Sequence, residues 1–212
     1  MSKTKVLNLY AGIGGNRKLW TDVDVTAVEI DPERANVYRD NFPDDSVVVA
    51  DAHQYLLDNY QEYDYVWSSP PCPTHSKTQI MSVLANNERS GNQSREAVYP
   101  DMKLYQEIIL LQNFASCDWV VENVVPYYEP LIQGQRLGRH MFWSNYHING
   151  DVPTTAHIKD SITNLEAAFG YDLSAYDLDD KRKTIRNCVD PELGRHVFES
   201  RTTQDTLPGV EL

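Results

Sequence analysis

The feature that most constrains this 212-residue chain is a rhythm: short β-branched runs alternate with helical patterns through its first two thirds. "KVLNLYAG" (5–12), "VTAVEID" (25–31), "SVVVADA" (46–52), "YDYVWSSPP" (63–71), "CDWVVENVV" (117–125) and "HMFWSNYHI" (140–148) read as strands. Between them lie helix "PERANVYRDNF", with Pro32 suited to a first helical position, and helix "HQYLLDNY". "PDMKLYQEIILLQNF" follows, with Leu104, Ile108 and Leu111 on one face at helical spacing. A short helix is also expected from Asn16, after a glycine turn. Strands apolar on both faces and separated by helices need cover on both sides. The expected class is therefore α/β: a doubly wound, mostly parallel, Rossmann-like sheet.

Such sheets bind ligands at the carboxyl ends of their strands. Gly12–Gly15, Glu29, Asp51, Cys72 and Glu122 all fall at such ends. Two stretches break the rhythm. Residues 76–100 are polar and longer than an ordinary connection, so they are expected to be mobile and to close on a ligand. Residues 148–184 read as a small irregular insert with one helix in "SITNLEAAF". The expected division is a catalytic and cofactor-binding part, 1–147, the insert, 148–184, and a returning segment, 185–212, with a turn and short helix.

Composition narrows the class. A hydrophobic fraction of 41% and a charged fraction of 24% suit a soluble globular chain. No apolar run approaches the roughly 20 residues a bilayer span needs, and "MSKTKVLNLY" is not a signal peptide, so a cytoplasmic protein without a membrane partner is expected. Three scattered cysteines argue against a disulfide framework, and no Cys/His spacing suits a metal. The net charge of −12 opposes a polyanionic partner, yet 133–147 holds two arginines, two histidines and no acid, and "KRKTIR" (181–186) is locally basic.

"YAGIGG" admits two readings: backbone amides open to a ligand, or tight strand–helix packing. Glu29, 17 positions after Gly12, is placed to accept from ribose hydroxyls, and Asp51 from an adenine amine; both also suit helix caps. Together they suggest an adenosine-containing cofactor, which NAD and S-adenosylmethionine both satisfy. "SSPPCPTHS" decides between them, because it sets Cys72 on a stiff turn beside the strand that ends in Glu122. A dehydrogenase has no use for that pair, whereas methylation at C5 of cytosine needs both. C5 is a poor nucleophile until a thiolate adds at C6, and a carboxyl group bonded to N3 and the exocyclic amine offsets the charge that builds on the ring. A free thiol, with a pKa near 8.5, is mostly protonated at neutral pH, so a cation such as Arg139 would help. Amine methylation needs no thiol.

"NLYAGIGG", "VEIDPERANVYRDNFP", "ADA", "SSPPCPTHS", "VVENV", "QRLGRHMFWSNY" and "RNCVDPEL" occur in the order of the C5-cytosine DNA methyltransferases, which the chain resembles over roughly 4–147 and 183–200. The resemblance implies an S-adenosylmethionine-dependent DNA (cytosine-5-)-methyltransferase, releasing S-adenosylhomocysteine, with Cys72 as nucleophile, Glu122 as the acid on the base and Arg139 as an electrostatic aid. It implies a cofactor site of Tyr10, Gly12, Gly14, Gly15, Glu29, Ile30, Asp51, Ala52, Pro70 and Asn187. Tyr10 replaces the usual Phe, Leu137 stands where a first arginine is usual, and "PCPTHS" replaces "PCQ-x-F-S". Only 148–184 occupies the place of a larger target-recognition domain, as in compact, often virus-borne members.

The implied partner is DNA, duplex rather than single-stranded, with the cytosine flipped out to reach Cys72 and Lys77, Arg89 and Arg95 on phosphates. A protein partner for target recognition is compatible with the short insert, and oligomeric state is left open. Two rivals stand: the same chemistry on RNA or another cytosine-containing substrate, or a cofactor-binding interaction subunit without turnover. Cys117 and Cys188 read as packing or bystander residues, His53 and His75 as hydrogen-bonding surface residues, and "VVPYYEP" as loop packing.

Overall fold

Each expected strand forms, and a further one joins them. The computed structural model describes residues 3–77, 81, 99–150 and 161–202. Its strands are β1 (Thr4–Leu9), β2 (Val23–Glu29), β3 (Ser46–Val49), β4 (Tyr65–Ser68), β5 (Asp118–Val124), β6 (Gln135–Leu137) and β7 (His140–Ser144). They make one sheet in the order β3-β2-β1-β4-β5-β7-β6. The first five run parallel, and β7 runs antiparallel to both β5 and β6. The helices are α1 (Pro32–Asn41), α2 (Ala52–Asn59), α3 (Lys103–Phe114), α4 (Ile162–Phe169), α5 (Lys181–Arg186) and α6 (Pro191–Ser200). This is the expected α/β, doubly wound, mostly parallel, Rossmann-like architecture.

The sheet is apolar on both faces because both are covered. Val6, Tyr65 and Trp67 pack with Trp20, Val197 and Phe198 on the α6 side. Leu7, Leu9 and Val66 pack with Leu56 and with Leu104, Ile108 and Leu111 on the opposite side. Burying each such side chain contributes about 1.5–3 kcal/mol, before the entropy of ordering it is counted.

Strand β6, unforeseen in the sequence, is a hairpin arm. Leu137 pairs with His140, so only Gly138 and Arg139 form the loop, with Gly138 at φ +58°. A glycine first in a two-residue loop suits the right-handed twist of its strands. The helix expected from Asn16 does not form. Only a few residues separate Gly15 from β2, and they make tight turns, Arg17 N–H to Gly14 O and Lys18 N–H to Gly15 O. Asn16 is held instead by a buried amide pair with Asn8 of β1 (2.8 and 3.4 Å).

The described part of the insert folds back on the glycine turn. Ile13 and Val37 pack with Leu165, Phe169, Tyr171 and Ile185, and the Tyr171 hydroxyl donates to the Ile13 carbonyl at 2.9 Å. Among the described residues, no helix is long and apolar enough to cross a membrane.

Candidate active site

The glycine turn divides its labour. Gly12, at φ +56°, has no atom within 4 Å of where a Cβ would stand, so it leaves space beside the backbone. A Cβ on Gly14 would lie 2.3 Å from Phe42, and one on Gly15 would lie 2.5 Å from the Val189 carbonyl oxygen. Both readings of the turn therefore hold, at different residues: Gly12 gives approach, while Gly14 and Gly15 give close packing. The Gly15 contact brings Cys188–Val189 against the turn and leaves the neighbouring Asn187 exposed, as the C-cap of α5. Cys188 is buried, and burial pushes its thiol up to about 12.

Glu29 ends β2 and is only 5% exposed. Its carboxylate accepts from Gly12 N–H at 2.8 Å and from Asp31 N–H at 3.0 Å, so it braces the turn from below. Ile30 next to it is 64% exposed. Asp51 caps α2 by accepting from Gln54 N–H at 3.1 Å, which with Lys103 nearby holds its carboxyl below the usual range. Ala52 is buried behind it. Asp51 thus performs the capping role, and its exposed second oxygen still faces Lys103 at 3.6 Å.

Tyr10 is one of two described non-glycine residues at positive φ (+55°), and its hydroxyl donates to Glu107 at 2.6 Å. Burial, followed by Glu107, pushes the phenol well above its ordinary range, so it stays a donor.

Strands β4 and β5 are neighbours, with Ser68 opposite Val121. Beyond Ser68 the chain turns through Pro70, whose buried carbonyl accepts from the Asn123 amide at 2.9 Å. This bond ties the Cys72 turn to the strand that carries Glu122. Glu122 is 7% exposed and bonds His140 Nδ1 at 2.6 Å across the β5–β7 pair. Arg139 enters from the β6–β7 hairpin loop, and its carbonyl accepts from Val125 N–H.

Cys72, Glu122 and Arg139 therefore face one another electrostatically. Burial first, and the Glu122 charge second, push the half-buried Cys72 thiol up, while Arg139 and Lys183 pull it down by less. Burial also lowers Arg139, against the support of Glu122. Arg139 is not sufficient by itself to give a ready thiolate.

The turn itself is firmly held. His75 and Ser76 N–H both reach the Cys72 carbonyl, and the Tyr127 N–H reaches the His75 carbonyl. His75 is 1% exposed, with Nδ1 2.6 Å from the Tyr128 hydroxyl, so it is a buried pin rather than a surface residue. His53 is partly exposed and hydrogen-bonded, as expected: its Nδ1 lies 2.9 Å from buried Glu107. "VVPYYEP" does pack this turn. Apart from Ser76, Lys77, Met81, Tyr99 and Pro100, the expected mobile loop lies outside the described residues, as do Arg89 and Arg95.

Sequence reasoning missed Asn123, His140 and Glu107. Asn123 and His140 were visible inside the quoted motifs, but only strand pairing shows what they touch. No group of three or more potential metal ligands occurs among the described residues.

These features define a doubly wound α/β protein with a glycine turn at one pair of strand ends and a thiol–carboxyl pair at the next. Residues 4–90 match the family model of the C-5 cytosine-specific DNA methylase. The match spans the glycine turn, Glu29, Asp51 and the Cys72 turn and ends before Glu122. No curated protein matches the sequence. Similar solved structures include a hypothetical protein of Thermus thermophilus, 17% identical, with TM-score 0.43 and coverage of 67% of this chain and 74% of that one. A SAM-dependent methyltransferase of Agrobacterium tumefaciens is 14% identical, with TM-score 0.39 and coverage of 59% and 40%. A DNMT2 variant of Spodoptera frugiperda is 24% identical, with TM-score 0.37 and coverage of 57% and 36%.

Proposed function

We propose that the protein is a DNA cytosine-5-methyltransferase acting through a transient bond between Cys72 and C6 of the base. The observation that carries this reading is the Asn123–Pro70 bond, which locks the Cys72 turn to the strand of Glu122.

The residues at the first three strand ends fit an adenosine-containing methyl donor. Gly12 leaves open backbone, Glu29 is a carboxylate at a strand end, exposed Ile30 offers an apolar surface for a purine, and Asp51 has an oxygen to spare. Tyr10, Gly14, Gly15, Ala52, Pro70 and Asn187 complete that wall as shape rather than as ligating atoms. S-adenosylmethionine, when bound, supplies an electrophilic methyl group. In the chain's own part of the reaction, Cys72 loses its proton to solvent, and the thiolate adds to C6. Glu122, oriented by His140, holds N3 and the exocyclic amine, and Arg139 offsets negative charge on the ring. Once C5 carries the methyl group its proton leaves to solvent and the Cys72–C6 bond breaks.

Duplex DNA requires the base to leave the stack before Cys72 reaches it. Lys183 of α5, close enough to act on Cys72, and Arg186, close enough to act on Arg139, add positive charge at this rim and suit backbone phosphates. RNA is the second reading, favoured because the described part of 148–184 is used to pack the glycine turn rather than left for target recognition. Incubation with S-adenosylmethionine and 5-fluorocytosine-containing DNA or RNA tests both. A covalent protein–DNA species that is absent in Cys72→Ala is expected. An adduct with RNA alone transfers the chemistry to the second reading, and no adduct with either defeats the mechanism.

A further inference from the structure

Glu107 is the most deeply buried acid of the described chain that the proposed chemistry does not use. It lies on α3 with no exposed surface. Its Oε1 accepts from the Tyr10 hydroxyl at 2.6 Å and meets His53 Nδ1 at 2.9 Å, and its Oε2 accepts from the Ser68 hydroxyl at 2.5 Å. A buried carboxylate is costly unless its lone pairs are met, and here three donors meet them.

Those donors come from three different strand ends. Tyr10 follows β1 and opens the glycine turn, Ser68 ends β4 before the Cys72 turn, and His53 lies in the first turn of α2 just after Asp51. Tyr10 also holds a left-handed backbone, which a residue with a side chain adopts only when its surroundings impose it. Its bond to Glu107 is such a constraint, and the Ala11 N–H to Val28 O bond (3.0 Å) carries the geometry on to Gly12.

We propose that Glu107 is the positioning residue of the cofactor site: through Tyr10, His53 and Ser68 it fixes the glycine turn, the Asp51 corner and the approach to Cys72 relative to one another. This rests on the reading of that site as one for S-adenosylmethionine. Glu107 touches neither donor nor base and acts through the residues it bonds.

The test is calorimetric titration of S-adenosylmethionine into the full chain and its variants, with melting curves for each. Tyr10→Phe removes one hydroxyl and keeps the ring; it should weaken binding by about three- to tenfold, the range of one net hydrogen bond. Glu107→Gln should weaken binding at least as much, and the double variant should match Glu107→Gln within about twofold, since the Tyr10 hydroxyl acts only through Glu107. Tyr63→Phe, which removes a hydroxyl contact near the amino end of β4 (Tyr55–Tyr63, 3.4 Å), controls for stability and should bind as the unaltered protein does. If Glu107→Gln does not fold, Tyr10→Phe against Tyr63→Phe decides. Native affinity in Tyr10→Phe, or losses that multiply in the double variant, overturns the inference while leaving the cofactor site standing. No uptake by the unaltered protein overturns the cofactor reading and the inference with it.

Discussion

The two halves of the candidate site are finished to different degrees. Around β1–β3 the charged side chains are answered by the chain itself: Glu29 by two backbone amides, Asp51 by its helix, and Glu107 by three side chains. Around β4 and β5 the answers are incomplete. Arg139 makes no side-chain hydrogen bond to another described residue although burial disfavours its charge, and the Cys72 thiol is pushed up by burial and by Glu122. The contrast teaches that one end of a sheet can be fully preorganised by the chain itself. The thiol side instead keeps an electrostatic tension that the described residues leave unrelieved.

Substitutions can break or sharpen this contrast. The largest effect is expected for Cys72→Ala, which should lower methyl transfer by at least about a thousandfold, measured by tritiated methyl incorporation, with the melting temperature nearly retained. Gly15→Ala comes next, on stability rather than chemistry. Its Cβ would meet the Val189 carbonyl at 2.5 Å, and a loss of about 2–3 kcal/mol in urea unfolding is expected.

Glu122→Gln should make Cys72 more reactive toward iodoacetamide at neutral pH, by up to roughly tenfold, because it removes a charge that raises the thiol. Arg139→Ala should act in the opposite direction. In the unaltered protein the alkylation rate should keep climbing with pH beyond about 8.5, where a free thiol is half ionised, since this thiol sits higher. A plateau below that pH would show that the tension is absent. Gly12→Ala should be mildest for stability, about 1 kcal/mol from its positive φ alone; its larger effect belongs to cofactor affinity.

Most of the architecture was legible because strands buried on both faces, such as β5 with Trp119, Val120 and Val121, leave an unbroken apolar run. The approximate places of Glu29, Asp51, Cys72 and Glu122 followed from the rule that ligands collect at strand ends. What was not legible depends on contacts distant in sequence. Glu107 reads as one polar residue in an amphipathic helix until Tyr10, 97 positions away, is seen to bond it. His75, three residues from Cys72, looks like a polar loop residue until Tyr128 buries it. Strand β6 was hidden by its three-residue length, although Gly138 before Arg139 is a hairpin signal. The basic "KRKTIR" run gave no sign that Lys183 would act on Cys72 from α5.

One contact near the far end of the chain bears on how the protein comes into being. Gly194 of α6 lies so close to Asn16 that a Cβ there would fall 2.5 Å from the Asn16 carbonyl oxygen, and the Gly194 carbonyl in turn accepts from the Trp20 indole at 3.1 Å. The loop after the first strand therefore gains its last support only when a residue 174 positions beyond Trp20 has docked. Finishing that loop is a long-range step of folding, and it carries the entropy cost of closing a long stretch of chain.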